Sequence, residues 1–139
     1  MLDMFKRTEI CHLCNSEIKL GKKEPLPAAC PACGTDLANP DAETIQNNIE
    51  CEHIKGTLGT GDGTLSITNT RIFWLKDGAA KISVSVALDN IDRFEDCKKM
   101  LRKGITLYAK SGESYNFFIP NLGDPQPLKD LLTPYANGY

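Results

Sequence analysis

The sequence predicts a mainly β protein in two parts, a small cysteine-rich module followed by a seven-stranded barrel or sandwich that a C-terminal helix caps. Two Cys-x-x-Cys pairs stand fifteen residues apart near the N-terminus. Seven short apolar segments then follow at intervals of roughly ten residues, which is the strand spacing of a sandwich or barrel. Near the C-terminus the apolar period lengthens to that of a helix.

The two cysteine pairs have the spacing of a four-thiolate zinc site. The four ligands are Cys11, Cys14, Cys30 and Cys33. Each Cys-x-x-Cys turn points two sulfurs in one direction, and two facing turns complete a tetrahedron. Asn15 and Gly34 directly follow the pairs and suit the left-handed backbone that such turns need. Ile18 and Leu20, followed by a glycine turn, predict a hairpin between the pairs. We therefore predict one bound Zn²⁺ within residues 8–37.

Other uses of these cysteines stay open. Iron in a rubredoxin-like site takes the same four ligands, and a redox dithiol is a further alternative. Disulfides suit secreted domains, but Met1–Glu9 lacks the apolar segment of a signal peptide. His12 is interpreted as an exposed spacer, because four thiolates already complete the coordination shell and leave no position for water. The predicted metal is therefore structural, and its removal should unfold only residues near 8–37.

Composition limits the classes of function. The chain has 139 residues, 41% of them hydrophobic and 24% charged, and a net charge of −2. No apolar run approaches the ~20 residues of a membrane span. A protein that binds nucleic acid in bulk is normally basic, which this chain is not. With no export signal, these features predict a cytoplasmic protein.

Residues 38–47 are predicted to be a linker before a β domain over residues 48–136. Asn39 precedes Pro40 and can cap a helical turn over Ala42–Gln46. The first strand is predicted over Ile49–Leu58, with a bulge, because its apolar residues do not alternate cleanly.

The next signals give a hairpin of alternating strands. Gly59–Gly63 is predicted to be a turn, and the strand that follows has Leu65 and Ile67 on one face. Ile72–Leu75 is an apolar run too short for a helix.

A second hairpin and three further strands complete the predicted sheet. Asp77-Gly78 is a turn signal, and Ile82–Leu88 has the clearest alternation in the chain. The remaining strands are Ile91–Cys97, Ile105–Ala109 and Tyr115–Ile119.

The last element is an amphipathic helix. Asp124 can cap it, Pro125 suits its first position, and Pro134 should end it near Thr133. Its apolar stripe comprises Leu128, Leu131, Leu132 and Tyr135. An open end of the barrel is the place where this stripe can be buried.

Seven strands and one C-terminal helix follow the order of the pleckstrin-homology (PH) superfold. Gly63–Phe73 resembles the strand pair of GRAM-type and bacterial PH-like domains, and Leu88–Ile91 and Gly112–Phe117 are similar to the family's fifth-strand entry and last hairpin. The resemblance covers residues 48–136, while residues 8–37 resemble a zinc ribbon. It implies a module that binds lipid headgroups, peptides or proteins and has no chemistry of its own.

Two activities are disfavoured. Phosphoinositide-binding PH domains resemble one another in their basic first loop, whereas Gly59–Gly63 carries an acid and no base. The chain has only two histidines, His12 and His53, and neither a glycine-rich phosphate loop nor a nucleophile motif. His53 lies two residues from Cys51, which is more simply a half-buried strand face than a nucleophile pair. We predict that the protein is not an enzyme and has no small-molecule substrate.

The predicted function is non-catalytic binding or scaffolding, through protein–protein contact of the PH-like domain. The alternatives are nucleic-acid binding by the ribbon lysines and recruitment to an anionic membrane. The predicted contact surface lies between the fifth and sixth strands and comprises Lys98, Lys99, Met100, Leu101, Arg102 and Lys103. Four cations around two apolar side chains suit an acidic protein or a membrane. The alternative is a solvated turn whose Met100 and Leu101 fold back onto the sheet.

Overall fold

The computed structural model describes residues 7–55 and 58–138. These residues form a two-stranded sheet, an eight-stranded sheet and one α-helix. The elements are β1 (Arg7–Ile10), β2 (Glu17–Leu20), β3 (Ile45–Lys55), β4 (Leu58–Thr68), β5 (Arg71–Lys76), β6 (Val84–Ala87), β7 (Ile91–Lys99), β8 (Arg102–Ala109), β9 (Ser114–Phe118), α1 (Gln126–Leu132) and β10 (Asn137–Gly138). In the described part of the chain, no helix has the length and apolarity that a membrane crossing requires.

The large sheet has the strand order β10-β7-β8-β9-β3-β4-β5-β6. Its seven long strands pair antiparallel, and the two-residue β10 adds in parallel to β7. The predicted mainly β fold with a C-terminal helix is confirmed. Closure into a barrel is not, because within residues 7–55 and 58–138 the edge strands β6 and β10 do not pair with each other.

Helix α1 covers the core that the open sheet leaves exposed. Leu128 and Leu132 are fully buried and share one hydrophobic cluster with residues of β6 and β7. Leu131 and Tyr135 pack at its margin, so the predicted stripe is confirmed. The Asp124 carboxylate accepts a hydrogen bond from the Gln126 N–H at 2.9 Å, and the helix ends at Leu132, before Pro134.

The predicted turn over Gly59–Gly63 is wrong, since these residues belong to β4 and Gly63 pairs with Cys51. A Cβ at Gly63 would lie 2.7 Å from the Trp74 ring. Trp74 in turn is fully buried and donates its indole N–H to the Cys51 carbonyl at 3.0 Å. Gly63 is therefore required by close packing rather than by a turn.

The predicted helical turn over Ala42–Gln46 is also wrong. The Ala42 N–H bonds the Asn39 carbonyl at 3.0 Å in a single turn, and β3 already begins at Ile45. Gln46 is an extra residue in the ladder with β4, ahead of the predicted strand. Strand structure thus begins within residues 38–47. The bulge predicted within Ile49–Leu58 is confirmed by a register shift between Glu52 and Ile54, although Leu58 itself belongs to β4.

Glu43 explains why this segment is extended and fixed. Its carboxylate is buried and accepts hydrogen bonds from the Thr68 hydroxyl (2.7 Å), the Thr70 hydroxyl (2.8 Å) and the Arg71 Nε (2.8 Å). Burial alone would raise the pKa of Glu43, but these donors outweigh burial and lower the pKa to about 2. The segment is held to the start of β5 by an ion pair.

Acidification is expected to remove this contribution between about pH 5 and pH 2. The folded pKa of Glu43 is about 2, below the ordinary value of about 4.3. The ionised carboxylate therefore stabilises the fold above the ordinary pKa, and the benefit is lost as pH falls through the folded pKa. It amounts to about 3 kcal/mol. The free energy of unfolding, measured with urea across this pH range, should depend less on pH for Glu43→Gln than for wild type. The control is Asp41→Asn, at an exposed position, and its pH dependence should match that of wild type.

The strand predicted over Ile82–Leu88 is shorter than its alternation suggests. Only Val84–Ala87 is strand, with Val84 and Val86 buried in the main core. The Ile82 N–H instead donates to the Ala32 carbonyl at 3.0 Å, in the cysteine module. This bond connects the segment before β6 to the module.

The two faces of β5 pack against different cores. Ile72 and Trp74 lie in the main core, whereas Phe73, which is 1% exposed, belongs to a second cluster with the cysteine module. Ile45 and Ile82 pack at the edge of that second cluster. The cysteine module is therefore packed on the outer face of the sheet.

Candidate metal centre

The two Cys-x-x-Cys turns have the same backbone structure. In the first, the Cys11 carbonyl accepts from the Asn15 N–H at 3.0 Å, and in the second, the Cys30 carbonyl accepts from the Gly34 N–H at 2.8 Å. Asn15 and Gly34 have φ angles of 61° and 81°. The predicted left-handed positions are confirmed, and each turn presents both of its sulfurs to one side.

Backbone N–H groups point at the first sulfur of each pair. The Leu13 N–H lies 3.4 Å from the Cys11 Sγ, and the Ala32 N–H lies 3.3 Å from the Cys30 Sγ. Such donors stabilise the negative charge of a thiolate, which is the form that binds a metal. Leu13 and Ala32 are themselves buried.

The four sulfurs are spaced as ligands of one ion. Cys11 Sγ and Cys33 Sγ are 3.8 Å apart, Cys14 Sγ and Cys30 Sγ are 3.7 Å apart, and all four lie within 4.8 Å of one another. In a regular tetrahedron with metal–sulfur bonds of about 2.3 Å, the sulfurs are about 3.8 Å apart. The cluster can therefore hold a metal ion, and four protein ligands complete its coordination shell.

The thiols of the cluster differ in burial and in pKa. A hydrogen bond from Cys33 lowers the pKa of Cys14 to about 4, and the same hydrogen bond together with burial raises that of Cys33. Burial raises the pKa of Cys11. Cys14 is the ligand that is partly exposed, whereas the other three are buried.

Strands β1 and β2 frame the first pair. The predicted hairpin between the two cysteine pairs is wrong. Strand β2 pairs antiparallel with β1, which precedes the first pair, so the hairpin encloses Cys11–Cys14 instead. The loop between the pairs is held by Arg7, whose guanidinium donates to the Gly21 carbonyl at 2.7 Å and the Glu24 carbonyl at 2.6 Å. Strand β1 thus includes Arg7, one residue before the predicted segment 8–37.

The two turns share a sequence repeat that was not among the predictions from the sequence. Residues 11–17 read Cys-His-Leu-Cys-Asn-Ser-Glu, and residues 30–36 read Cys-Pro-Ala-Cys-Gly-Thr-Asp. The Cys11 N–H bonds the Ser16 carbonyl at 3.0 Å, and the Cys30 N–H bonds the Thr35 carbonyl at 2.9 Å. The shared left-handed, hydroxyl and acidic positions after each pair were the signal.

The predicted contact surface forms the tip of the β7–β8 hairpin. Met100 and Leu101 make the two-residue turn and are 87% and 72% exposed, so they do not fold back onto the sheet. Lys98, Lys99 and Lys103 are exposed beside them. Arg102 instead bonds the Glu52 carboxylate at 2.8 Å. We call residues 98–103 the hairpin tip.

The remaining candidates lie inside the fold. His53 is buried with its ring 5.3 Å from that of Trp74 and 5.4 Å from that of Phe117. Burial raises the pKa of Cys51 to about 12, so its thiolate is scarce at neutral pH. Burial also raises the pKa of Cys97. His12 is exposed, as predicted, and Trp74 lies in the core.

Comparison with known proteins identifies similar folds. No family model matches the chain, and no curated protein matches it. The C-terminal domain of an unknown protein from Leishmania infantum is 21% identical over 70% of this chain and 91% of that one, with a TM-score of 0.53. The hSac2 domain of the human phosphoinositide phosphatase Sac2 is 14% identical over 74% of this chain and 80% of that one, with a TM-score of 0.51. The likeness is one of fold.

Proposed function

We propose that the chain is a non-catalytic protein-binding module, in which a structural zinc ribbon is fused to a PH/GRAM-like β domain. The observation that carries the binding role is the exposed Met100–Leu101 pair at the hairpin tip. The proposed structural zinc role is supported by four sulfurs that lie within 4.8 Å of one another, because four thiolates would leave no position for a reacting water. Thiols kept reduced in such a cluster suit a cytoplasmic protein.

Zinc is the metal we propose, because four thiolates in a regular tetrahedron suit a d¹⁰ ion without a geometric preference of its own. Its ligands would be Cys11, Cys14, Cys30 and Cys33, with the Leu13 and Ala32 N–H groups as outer donors. When bound, the ion would fix the two turns to each other and supply the stability that so small a module lacks.

The hairpin tip carries two costs that folding does not explain. Met100 has a φ of 57°, at the first central position of a two-residue turn, where glycine is preferred. A side chain in this conformation costs roughly 1–2 kcal/mol. Met100 and Leu101 also expose apolar surface that polar turn residues would not. Both features destabilise the free turn, so we infer that they serve binding. An exposed apolar pair beside several cations is suited to insert into an apolar pocket with an acidic rim on another protein.

Met100→Gly is expected to separate folding from binding. Glycine relieves the left-handed strain, so the melting temperature should stay the same or rise by a few degrees. Loss of the anchor side chain should remove the protein partner that immobilised wild type retains from an extract of the source cell. The measurement is quantitative mass spectrometry of the retained proteins.

Lys110→Gly is the matched control, since Lys110 is an exposed residue in the β8–β9 turn, at the other end of β8. It should retain the same proteins as wild type. Identical retained proteins from wild type and Met100→Gly would rule out the hairpin tip as the binding surface.

A further inference from the structure

An acidic surface lies directly beside the hairpin tip. It comprises Glu50, Glu52, Asp62 and Asp77, which we call the acidic patch. Glu52 and Asp62 are cross-strand neighbours on β3 and β4, and Asp77 follows β5. Glu52 accepts the hydrogen bond from Arg102. The remaining three carboxylates, of Glu50, Asp62 and Asp77, are exposed.

A small cavity opens within this patch. It has a volume of about 180 Å³, and its lining includes Glu50, Asp62, Asp77 and Pro120. The Ile119 N–H donates to the carbonyl of Lys103, a residue of the hairpin tip, at 3.1 Å. Pro120, which lines the cavity, directly follows Ile119 in the chain. The cavity and the hairpin tip therefore lie side by side on one surface.

The two features are complementary in charge and shape. The tip presents three exposed lysines beside a projecting apolar pair, and the patch presents three exposed carboxylates around a cavity with room for an aliphatic side chain. Within one chain, the tip and the patch contact each other through the Arg102–Glu52 ion pair. The Met100 and Leu101 side chains of the same chain do not fill the cavity, because both are exposed. If a two-fold axis passes between two adjacent complementary surfaces, each copy can place its tip on the patch of the other copy, so that the same contact forms twice.

We propose that the hairpin tip of one copy docks on the acidic patch of a second copy, so that the chain forms a two-fold dimer. This inference rests on the proposed function, since it takes the tip to be a protein-binding surface and names the partner. Met100 or Leu101 would occupy the cavity, while the lysines pair with the carboxylates around it. Because each contact would be made by a two-residue turn and one small cavity, the dimer should bury less area than a standard stable interface and should be weak and salt-sensitive.

A membrane is a poorer occupant of the same tip. The exposed carboxylates of the patch would be pressed against anionic headgroups, and Arg102 is already paired. Three lysines remain, below the clusters of four to eight cations typical of lipid-binding segments. Met100 and Leu101 together bury fewer methylene groups than one myristoyl chain, which by itself binds a membrane only marginally.

The test is a charge exchange between two variants of the full chain. Variant T carries Lys98→Glu, Lys99→Glu and Lys103→Glu, and variant P carries Glu50→Lys, Asp62→Lys and Asp77→Lys. Sedimentation velocity over roughly 1 µM to 1 mM spans weak association. Wild type should dimerise, and each variant alone should be monomeric, because both of its two contacts would join like charges. An equimolar mixture of T and P should recover a dimer, since both contacts then join opposite charges.

Wild type that stays monomeric up to the highest concentration would overturn the dimer, as would a T and P mixture that does not associate. Circular dichroism of each variant checks that it is folded. The proposed function has a separate outcome: if wild type is monomeric but Met100→Gly still loses a retained protein, the tip binds a different partner. Cosedimentation of wild type, but not T, with phosphatidylserine vesicles and no dimer would assign the tip to membranes.

Discussion

Cys30→Ser is expected to release the metal and unfold the cysteine module. Cys30 is a buried member of the four-sulfur cluster, and three thiolates hold zinc far more weakly than four. The free energy of binding of a structural zinc ion, which stabilises the folded module, is on the order of 10 kcal/mol. Most β-sheet circular dichroism should persist, because Trp74 belongs to the main core, a hydrophobic cluster distinct from that of the cysteine module. The melting temperature should nevertheless fall by several degrees, because Phe73 loses its cover.

The measurements are metal content by mass spectrometry and thermal unfolding by circular dichroism. Cys97→Ser is the matched control, because Cys97 is a half-buried cysteine outside the cluster. It should retain a full equivalent of metal. If Cys30→Ser kept its metal, the four-sulfur site would be wrong, and if it lost all β signal, the sheet would not be a separately stable core.

Phe73→Ala is expected to destabilise the protein by about 3–5 kcal/mol, the cost of truncating a buried phenylalanine. Phe73 is 1% exposed and lies between the sheet and the cysteine module, with the Arg71 guanidinium 5.0 Å from its ring centre. Because its loss would loosen the module, a chelator should remove the metal several-fold faster. Urea unfolding and the rate of metal transfer to the chelator measure the two effects.

Phe73→Leu, which keeps most of the volume, is the control and should cost about 1 kcal/mol. A similar small cost for Phe73→Ala, with no change in metal release, would mean that the module does not depend on the outer face of the sheet.

The four-cysteine cluster could be predicted from the sequence because its chemistry is local. Four cysteines at this spacing have few other uses, and the left-handed positions at Asn15 and Gly34 follow from the turn that each pair makes. The helix stripe was equally readable, since its period of apolar residues is set by the helix itself.

The packing of the module on the sheet could not be predicted in the same way, because it joins residues far apart in the chain. One signal was present. Ile72–Leu75 is a continuous apolar run, and a strand with one wet face would alternate. The run indicates that both faces of β5 are covered, which Phe73 and Trp74 confirm.

Gly63 and Glu43 show the limit of local signals. Glycine is favoured both in turns and where another group approaches closely, and only the position of Trp74 decides between them at Gly63. At Glu43, the local capping signal favoured a helical turn, but hydrogen bonds from Thr68, Thr70 and Arg71 fix the segment instead. Tertiary contacts outweigh local preference in both cases.

X-ray absorption at the zinc edge, combined with metal content, tests the central claim most directly. We expect one zinc per chain, with four sulfur neighbours at about 2.3 Å and no nitrogen or oxygen ligand. Such a shell would establish a closed, structural site formed by Cys11, Cys14, Cys30 and Cys33. Iron in the site, a water or histidine in the shell, or a folded metal-free protein with two disulfides would contradict the account.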